Sequence, residues 1–91
     1  MVTLSDKFKA DFSKIYAFIA RDNKNAARKF RNELIAKLYT LEDNPYRCRR
    51  SISFNDDNVR DFIFKGYTAP YLIDGNIILI LGIYGANEWQ E

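Results

Sequence analysis

The hydrophobic period of this chain changes at Asn44-Pro45, and the switch divides it into two kinds of structure. Upstream, Leu4, Phe8, Phe12, Ile15, Tyr16 and Ile19 recur at helical spacing, with Lys7, Asp11, Lys14 and Arg21 between them. Ser5 suits the N-cap of this first helix, and Asp6 suits its first turn. The polar break Asp22-Asn23-Lys24-Asn25 ends it, and Asn23 or Asn25 can cap a second helix. That helix is marked by Ala27, Phe30, Leu34, Leu38 and Leu41, with Glu33 and Lys37 forming a favourable i,i+4 pair. Pro45 lacks the N–H needed to continue the ladder, so the helix closes before it. So short a link makes the two helices an antiparallel hairpin with a shared apolar side.

Downstream of Pro45 the period is two. Ile52 and Phe54 alternate with Ser51, Ser53 and Asn55, which reads as a short strand ending at Asn55-Asp56-Asp57-Asn58. In the next strand Arg60, Phe62 and Phe64 share one face, and Val59, Asp61, Ile63 and Lys65 the other. Gly66 permits a bend or bulge. Residues 67–73 and 76–83 flank Asp74-Gly75, read as a two-residue hairpin turn. Pro70 places its strand at an edge or at a bulge. The run Ile77-Ile78-Leu79-Ile80-Leu81 is apolar on both faces, as in a central strand covered by helices. The expected architecture is α+β: one domain, 1–91, with the helical hairpin packed on a twisted antiparallel sheet of about four strands.

Charge is distributed unevenly. Residues 1–50 carry twelve basic and six acidic residues, whereas residues 51–91 carry two basic and six acidic ones. Positive potential therefore gathers on the N-terminal half, either as a solvated helical face or as a contact surface for an acidic partner or a nucleic acid. One cysteine, Cys48, and no histidine leave no disulfide and no metal site, and nothing calls for a cofactor. Lys7, Lys9, Asp11 and Lys14 interrupt the first apolar positions, so neither a signal peptide nor a membrane span is expected and the chain reads as cytoplasmic. The seven-residue run from Ile77 to Ile83 falls far short of the ~20 residues of a membrane-crossing helix.

A helical hairpin closed by Leu41-x-x-Asn44-Pro45 is followed by Val59-Arg60 and the strand entry Gly66-Tyr67. Then come a hairpin containing Tyr71, an aliphatic last strand, and Tyr84-Gly85-Ala86-Asn87-Glu88-Trp89. This ordered set resembles the RelE/ParE superfamily, the toxins of type II toxin–antitoxin modules. The resemblance covers nearly the whole chain and implies a small cognate antitoxin that wraps the toxin. It implies contact with DNA only indirectly, through that antitoxin. RelE-like members cut ribosome-bound mRNA, whereas ParE-like members poison DNA gyrase.

Cleavage through the RNA 2′-hydroxyl needs a proton acceptor, a donor to the leaving oxygen and a cation beside the phosphate. The resemblance implies that RelE-like chains draw these from basic residues on the central strands and a His, Arg or Tyr after the last one. Here that last segment reads Tyr84-Gly85-Ala86-Asn87, and the candidates for such chemistry are Arg60, Lys65 and Tyr84. Arg60 matches the Arg of the Val-Arg motif; structurally it can instead pair with Asp61 or Glu88, or pack its stem. Tyr84 can donate a proton or serve as a packed aromatic with a wet hydroxyl. Arg47, Arg49 and Arg50 form the densest basic cluster, able to clamp phosphates or meet a target or antitoxin. Trp89 is either an anchor folded back on the sheet or an aromatic that meets a partner. The leading expectation is a ParE-like toxin that binds a protein target such as DNA gyrase. The alternatives are an mRNA endonuclease and a degenerate member that only binds its antitoxin.

Overall fold

The computed structural model describes residues 1–85. A short strand β1 (Val2–Leu4) precedes helices α1 (Asp6–Asp22) and α2 (Lys24–Tyr39). Two single 3₁₀ turns, Thr40–Glu42 and Pro45–Arg47, lead through a long loop to β2 (Val59–Phe64), β3 (Tyr67–Asp74), β4 (Ile77–Ile80) and β5 (Tyr84–Gly85).

The helices begin and end where their polar residues dictate. Ser5 Oγ accepts the Phe8 N–H at 3.0 Å and so caps α1. Asn23 is the only residue between the helices and serves both. Its N–H closes α1 on the Ile19 carbonyl at 3.0 Å, and its Oδ1 caps α2 by accepting the Ala26 N–H at 3.0 Å. Proline then sits at the start of the second 3₁₀ turn, where a missing N–H costs nothing.

The sheet order is β1-β4-β3-β2, with β5 beside the start of β3. The expected α+β architecture holds, with one strand more than the sequence suggests. Val2–Leu4 pairs parallel with Ile78–Ile80, so the sheet is mixed at that edge. Three residues are too few to display a period, and Leu4 fits the helical stripe equally well.

One turn is tighter than the sequence suggests and the other is shifted by one residue. Phe64 pairs with Tyr67, so Lys65-Gly66 is a two-residue hairpin loop with φ of 49° and 84°, the doubly positive pattern of a type I′ turn. Asp74 pairs with Ile77, so the second loop is Gly75-Asn76, not Asp74-Gly75. Positive φ there is confined to Gly75, at 58°, as in a II′ turn.

Pro70 lies in β3, which is central and paired on both sides. Opposite it the β4–β5 chain breaks its ladder over residues 81–83, which is the bulge alternative for this proline. The Leu81 N–H reaches the Pro70 carbonyl at 2.8 Å, and α1 with its cap supplies two further contacts. Ser5 Oγ donates to the Leu81 carbonyl at 3.1 Å, and Asp11 Oδ2 accepts the Ile83 N–H at 3.3 Å. A Cβ at Gly82 would stand 3.0 Å from Asp11 Oδ2, so a side chain there would crowd this carboxylate.

The strand expected around Ile52 and Phe54 does not form. Arg50 makes one bridge with Arg60, with Ser51 N–H to Val59 O at 2.8 Å and Asp61 N–H to Arg49 O at 3.1 Å. The chain then leaves the β2 edge because the Ile52 N–H turns to the Asp61 carboxylate at 3.4 Å instead of a strand partner. Ile52 is left 73% exposed.

Both helices cover one face of the sheet. Phe8, Ile15, Phe30, Leu34, Leu38 and Leu41 pack on Phe62, Phe64, Ala69, Tyr71, Ile73, Ile78 and Ile80. Phe12 stacks on Phe30, which meets both Phe64 and Tyr67. Alternation sends Asp61, Ile63, Thr68 and Leu72 to the opposite face, which no helix covers.

Candidate functional site

Arg60 and Lys65 do not converge. Arg60 and Lys65 are five residues apart, about 16 Å along an extended strand. Lys65, at the tip of the β2–β3 turn, reaches across to helix α2 and pairs with Glu33 at 2.8 Å. That hydrogen bond holds the Glu33 carboxyl below its ordinary range. Tyr84 is half-buried, with its hydroxyl 3.4 Å from Ser53 Oγ.

Arg60 faces the Pro45 turn and holds it. Its Nε donates to the Asp57 carbonyl at 3.1 Å and its Nη1 to the Cys48 carbonyl at 3.2 Å. Its guanidinium carbon lies 4.9 Å from the centroid of the Tyr46 ring, and Tyr46 in turn donates its hydroxyl to Asn58 at 2.7 Å. Asp61 is not its partner. Tyr71 completes the same support: fully buried, it donates its hydroxyl to the Pro45 carbonyl at 2.6 Å. Burial, and after it the neighbouring Cys48 thiol, pushes this phenol well above the ordinary tyrosine range.

The arginine cluster is drawn into the same region. Arg47 donates to Thr40 Oγ1 at 2.7 Å, and Arg50 pairs with Asp57 at 3.1 Å and Asn55 at 2.9 Å. Arg49 pairs at 3.3 Å with Asp61, whose carboxylate is fully buried. The Asp61 Oδ1 has no hydrogen-bond partner, so this charge depends on Arg49 and the Ile52 N–H. Each guanidinium carries five N–H groups and uses one or two here, and Arg49 and Arg50 remain about half exposed (52% and 51%). Beside them Tyr46, Ile52 and Phe54 are exposed apolar groups. Trp89 and Glu88 lie outside the described residues.

A second surface lies on the helical hairpin. Leu4, Phe8, Phe12, Tyr16 and Ile35 line an open groove of about 330 Å³ between α1 and α2, with Lys9, Ser13 and Arg31 as its polar lining. Arg31 lies over the Tyr16 ring at 5.9 Å, and its Nε donates to Asn32 at 3.2 Å. Among the described residues, no carboxylate lines the groove. The hairpin from Asp6 to Tyr39 carries nine basic and four acidic residues. Among the described residues, the side chains of Lys9, Lys14, Arg21 and Lys24 have no hydrogen-bond or ion-pair partner, unlike that of Lys7, which pairs with Asp11 at 2.8 Å.

The sequence reading assigned Leu4, Phe8, Phe12 and Tyr16 to the core stripe. The signal of a groove was available in the width of that stripe: with Ile35 added, it exceeds what one sheet face can cover. Asp61 was considered only as a partner for Arg60. A carboxylate among apolar residues in a strand was the available signal of a buried pair. Among the described residues, no group of three or more His, Cys, Asp or Glu side chains is placed to hold a metal, and no helix is long and apolar enough to cross a membrane.

The family model described as ParE toxin of type II toxin-antitoxin system, parDE, matches residues 2–88. No curated protein matches this sequence. A solved structure described as the chromosomal ParDE TA system from P. aeruginosa shares the fold, with a TM-score of 0.73 at 20% identity over 92% of each chain.

Proposed function

We propose, for a chain that belongs to the ParE toxin family of type II toxin–antitoxin systems, that it is silenced by a small antitoxin and, once free, acts by binding a protein target in the cytoplasm. DNA gyrase is the target we infer from the family resemblance. The antitoxin takes the basic hairpin and its apolar groove, where complementary charge is most available. The exposed Arg47, Arg49 and Arg50, with Tyr46, Ile52 and Phe54, are the candidates to meet the target. DNA is met only through the antitoxin.

The observation that carries the choice against mRNA cleavage is the separation of Arg60 from Lys65, both already engaged by other groups of the protein. Lysine and tyrosine have unperturbed pKa values near 10, so neither is a ready proton acceptor at neutral pH. A reaction that moves two protons around one phosphate needs its groups within hydrogen-bond reach of one another's substrate atoms. Arg60 and Lys65, about 16 Å apart along the strand, do not meet that need.

Induced expression in bacteria tests the proposal. We expect a growth defect with a DNA-damage response, gyrase–DNA cleavage complexes in lysates, and rescue by co-expressed antitoxin. Sharp in-frame mRNA cuts that vanish on Arg60→Ala or Tyr84→Phe would overturn it and make those two residues catalytic. No growth defect in a sensitive host would leave a member that only binds its antitoxin.

A further inference from the structure

Residues 51–55 alternate polar and apolar side chains, yet they bury neither of the two large apolar ones: Ile52 is 73% exposed and Phe54 43%. Polar contacts nevertheless hold the segment in place. Its first residue, Ser51, is buried, and Ser51 Oγ accepts the Ser53 N–H at 3.2 Å. Ser53 Oγ lies 3.4 Å from the Tyr84 hydroxyl. Asn55 accepts from Arg50 at 2.9 Å, and the fully buried Asp61 carboxylate takes the Ile52 N–H at 3.4 Å. Resting on the target reading above, we propose that residues 51–55 form a preorganised target-binding tongue with Ile52 as its anchor and Asp61 as the residue that positions it. The partner it fits is a protein surface with an apolar pocket for Ile52, bordered by hydrogen-bond acceptors for Arg49 and Arg50.

Three observations carry this assignment. The contacts that shape the segment run through its backbone, two serines and an asparagine, so a partner can cover Ile52 and Phe54 without undoing them. A surface already ordered in this way loses little conformational freedom on binding. The second observation is Asp61 itself. Its carboxylate is buried with Oδ1 lacking a hydrogen-bond partner among the described residues, an arrangement that an apolar residue of similar size would relieve. Its Oδ2 serves Arg49 and the Ile52 N–H, the two points where the chain turns away from β2, so the charge is spent on the loop. The third observation is the charge balance. Residues 49–61 hold three arginines and three aspartates, which leaves no excess of positive charge to attract a phosphate backbone. Ile52 also lacks the ring on which a base would stack. An aliphatic anchor beside half-exposed guanidinium groups with N–H to spare matches the apolar centre and polar rim of a protein interface.

The test combines induced expression of the full chain in bacteria, with protein level followed by immunoblot, and proteolysis of the purified protein. We expect Ile52→Ser to need roughly tenfold more protein than the parent to arrest growth. Ile77→Ser, at an exposed isoleucine of β4, should match the parent. Asp61→Asn keeps an oxygen acceptor for the Ile52 N–H, whereas Asp61→Leu removes it, fills the site and leaves the half-exposed Arg49 to water. Asp61→Asn should therefore arrest growth like the parent, and Asp61→Leu should fail as Ile52→Ser does. Chymotrypsin cleavage after Phe54, read by mass spectrometry, should be on the order of tenfold faster in Asp61→Leu and close to the parent's rate in Asp61→Asn. Far-ultraviolet circular dichroism verifies that each variant is folded. Should Asp61→Leu not fold, hydrogen exchange at the Ile52 amide of the parent decides: protection is expected, and exchange as fast as in an unstructured peptide would refute the positioning role. Equal arrest by Ile52→Ser and the parent at equal protein level, or equal cleavage of Asp61→Leu and the parent, would overturn the proposal. Arrest lost in Arg50→Gln but kept in Ile52→Ser would assign the surface to nucleic acid instead. A parent that arrests nothing would sink the target reading and this proposal with it, whereas the cleavage assay requires no toxicity and bears on the tongue alone.

Discussion

On the helical hairpin, Lys9, Lys14, Arg21 and Lys24 stand in solvent without an ion-pair partner among the described residues, whereas around the Pro45 turn Arg47, Arg49, Arg50 and Arg60 all donate hydrogen bonds into the fold. The second region has the greater density of arginine in sequence, and the first has the greater freedom in space. Density follows from composition. Freedom depends on which acids and carbonyls the tertiary structure brings near, and the loop region has many: Asp57, Asp61, Asn55 and the carbonyls of Cys48 and Asp57. A cation already spent on a buried carboxylate supports the protein first. One left in water is available to a partner at little conformational cost.

The comparison breaks most easily at Arg49. Removing its side chain in Arg49→Ala leaves the Asp61 carboxylate buried against a single long N–H contact. We expect a loss of about 2–4 kcal/mol, at or just below the range for breaking a buried pair because Arg49 is half exposed. At about 4–8 °C per kcal/mol for a domain of this size, thermal unfolding shows the effect plainly. Lys24→Ala, on the hairpin, should stay within about 0.5 kcal/mol of the parent. Equal effects would mean that the two regions do not differ as described.

Tyr71→Phe comes next. It removes the hydroxyl that supports the Pro45 carbonyl, at a cost of about 1–2 kcal/mol. It also changes the response to alkali. Because the folded pKa is raised, the neutral phenol's contribution is fully present below the unfolded value near 10 and is lost as pH rises through the folded value. Denaturant titrations should therefore show the parent losing stability above pH ~10 more steeply than Tyr71→Phe. Parallel curves would show that this phenol does not hold the turn.

The smallest effect is expected at Lys65. Glu33 is exposed, and its pKa is lowered first by the hydrogen bond from Lys65. The pair's contribution is present above the ordinary glutamate pKa and is lost as pH falls through the lowered one. Lys65→Met should remove that acid-side slope and leave stability at neutral pH little changed. A large loss at neutral pH would give Lys65 a structural weight like that of Arg49.

These contrasts also explain what was legible in the sequence. The helices could be read closely because their signals are local: Ser5 and Asn23 cap through residues three positions away. The second hairpin turn is legible to within one residue, since Asp74 is still paired with Ile77, whereas Gly66 suggests only a bend or bulge where Lys65-Gly66 forms a hairpin loop. Long-range pairing was less visible. Val2–Leu4 joins Ile78–Ile80 across almost the whole chain, and three residues carry no period from which to infer it. The Ile52–Phe54 alternation gave a strand that tertiary contacts overrode, since Asp61 captures the Ile52 N–H. The same limit applied to the site. Residue types named Arg47, Arg49, Arg50, Arg60, Lys65 and Tyr84 as candidates, but which were engaged depended on partners 3 to 32 positions away. The groove was hidden because its residues look like core until the second helix is placed beside the first.

Hydrogen exchange on the complex with the cognate antitoxin tests most directly whether free cations, and not dense ones, receive that partner. The account predicts slower exchange along α1 from Phe8 to Tyr16 and along α2 from Arg31 to Ile35, with little change between Arg47 and Phe54. Protection concentrated between Arg47 and Phe54, with both helices unchanged, would contradict it.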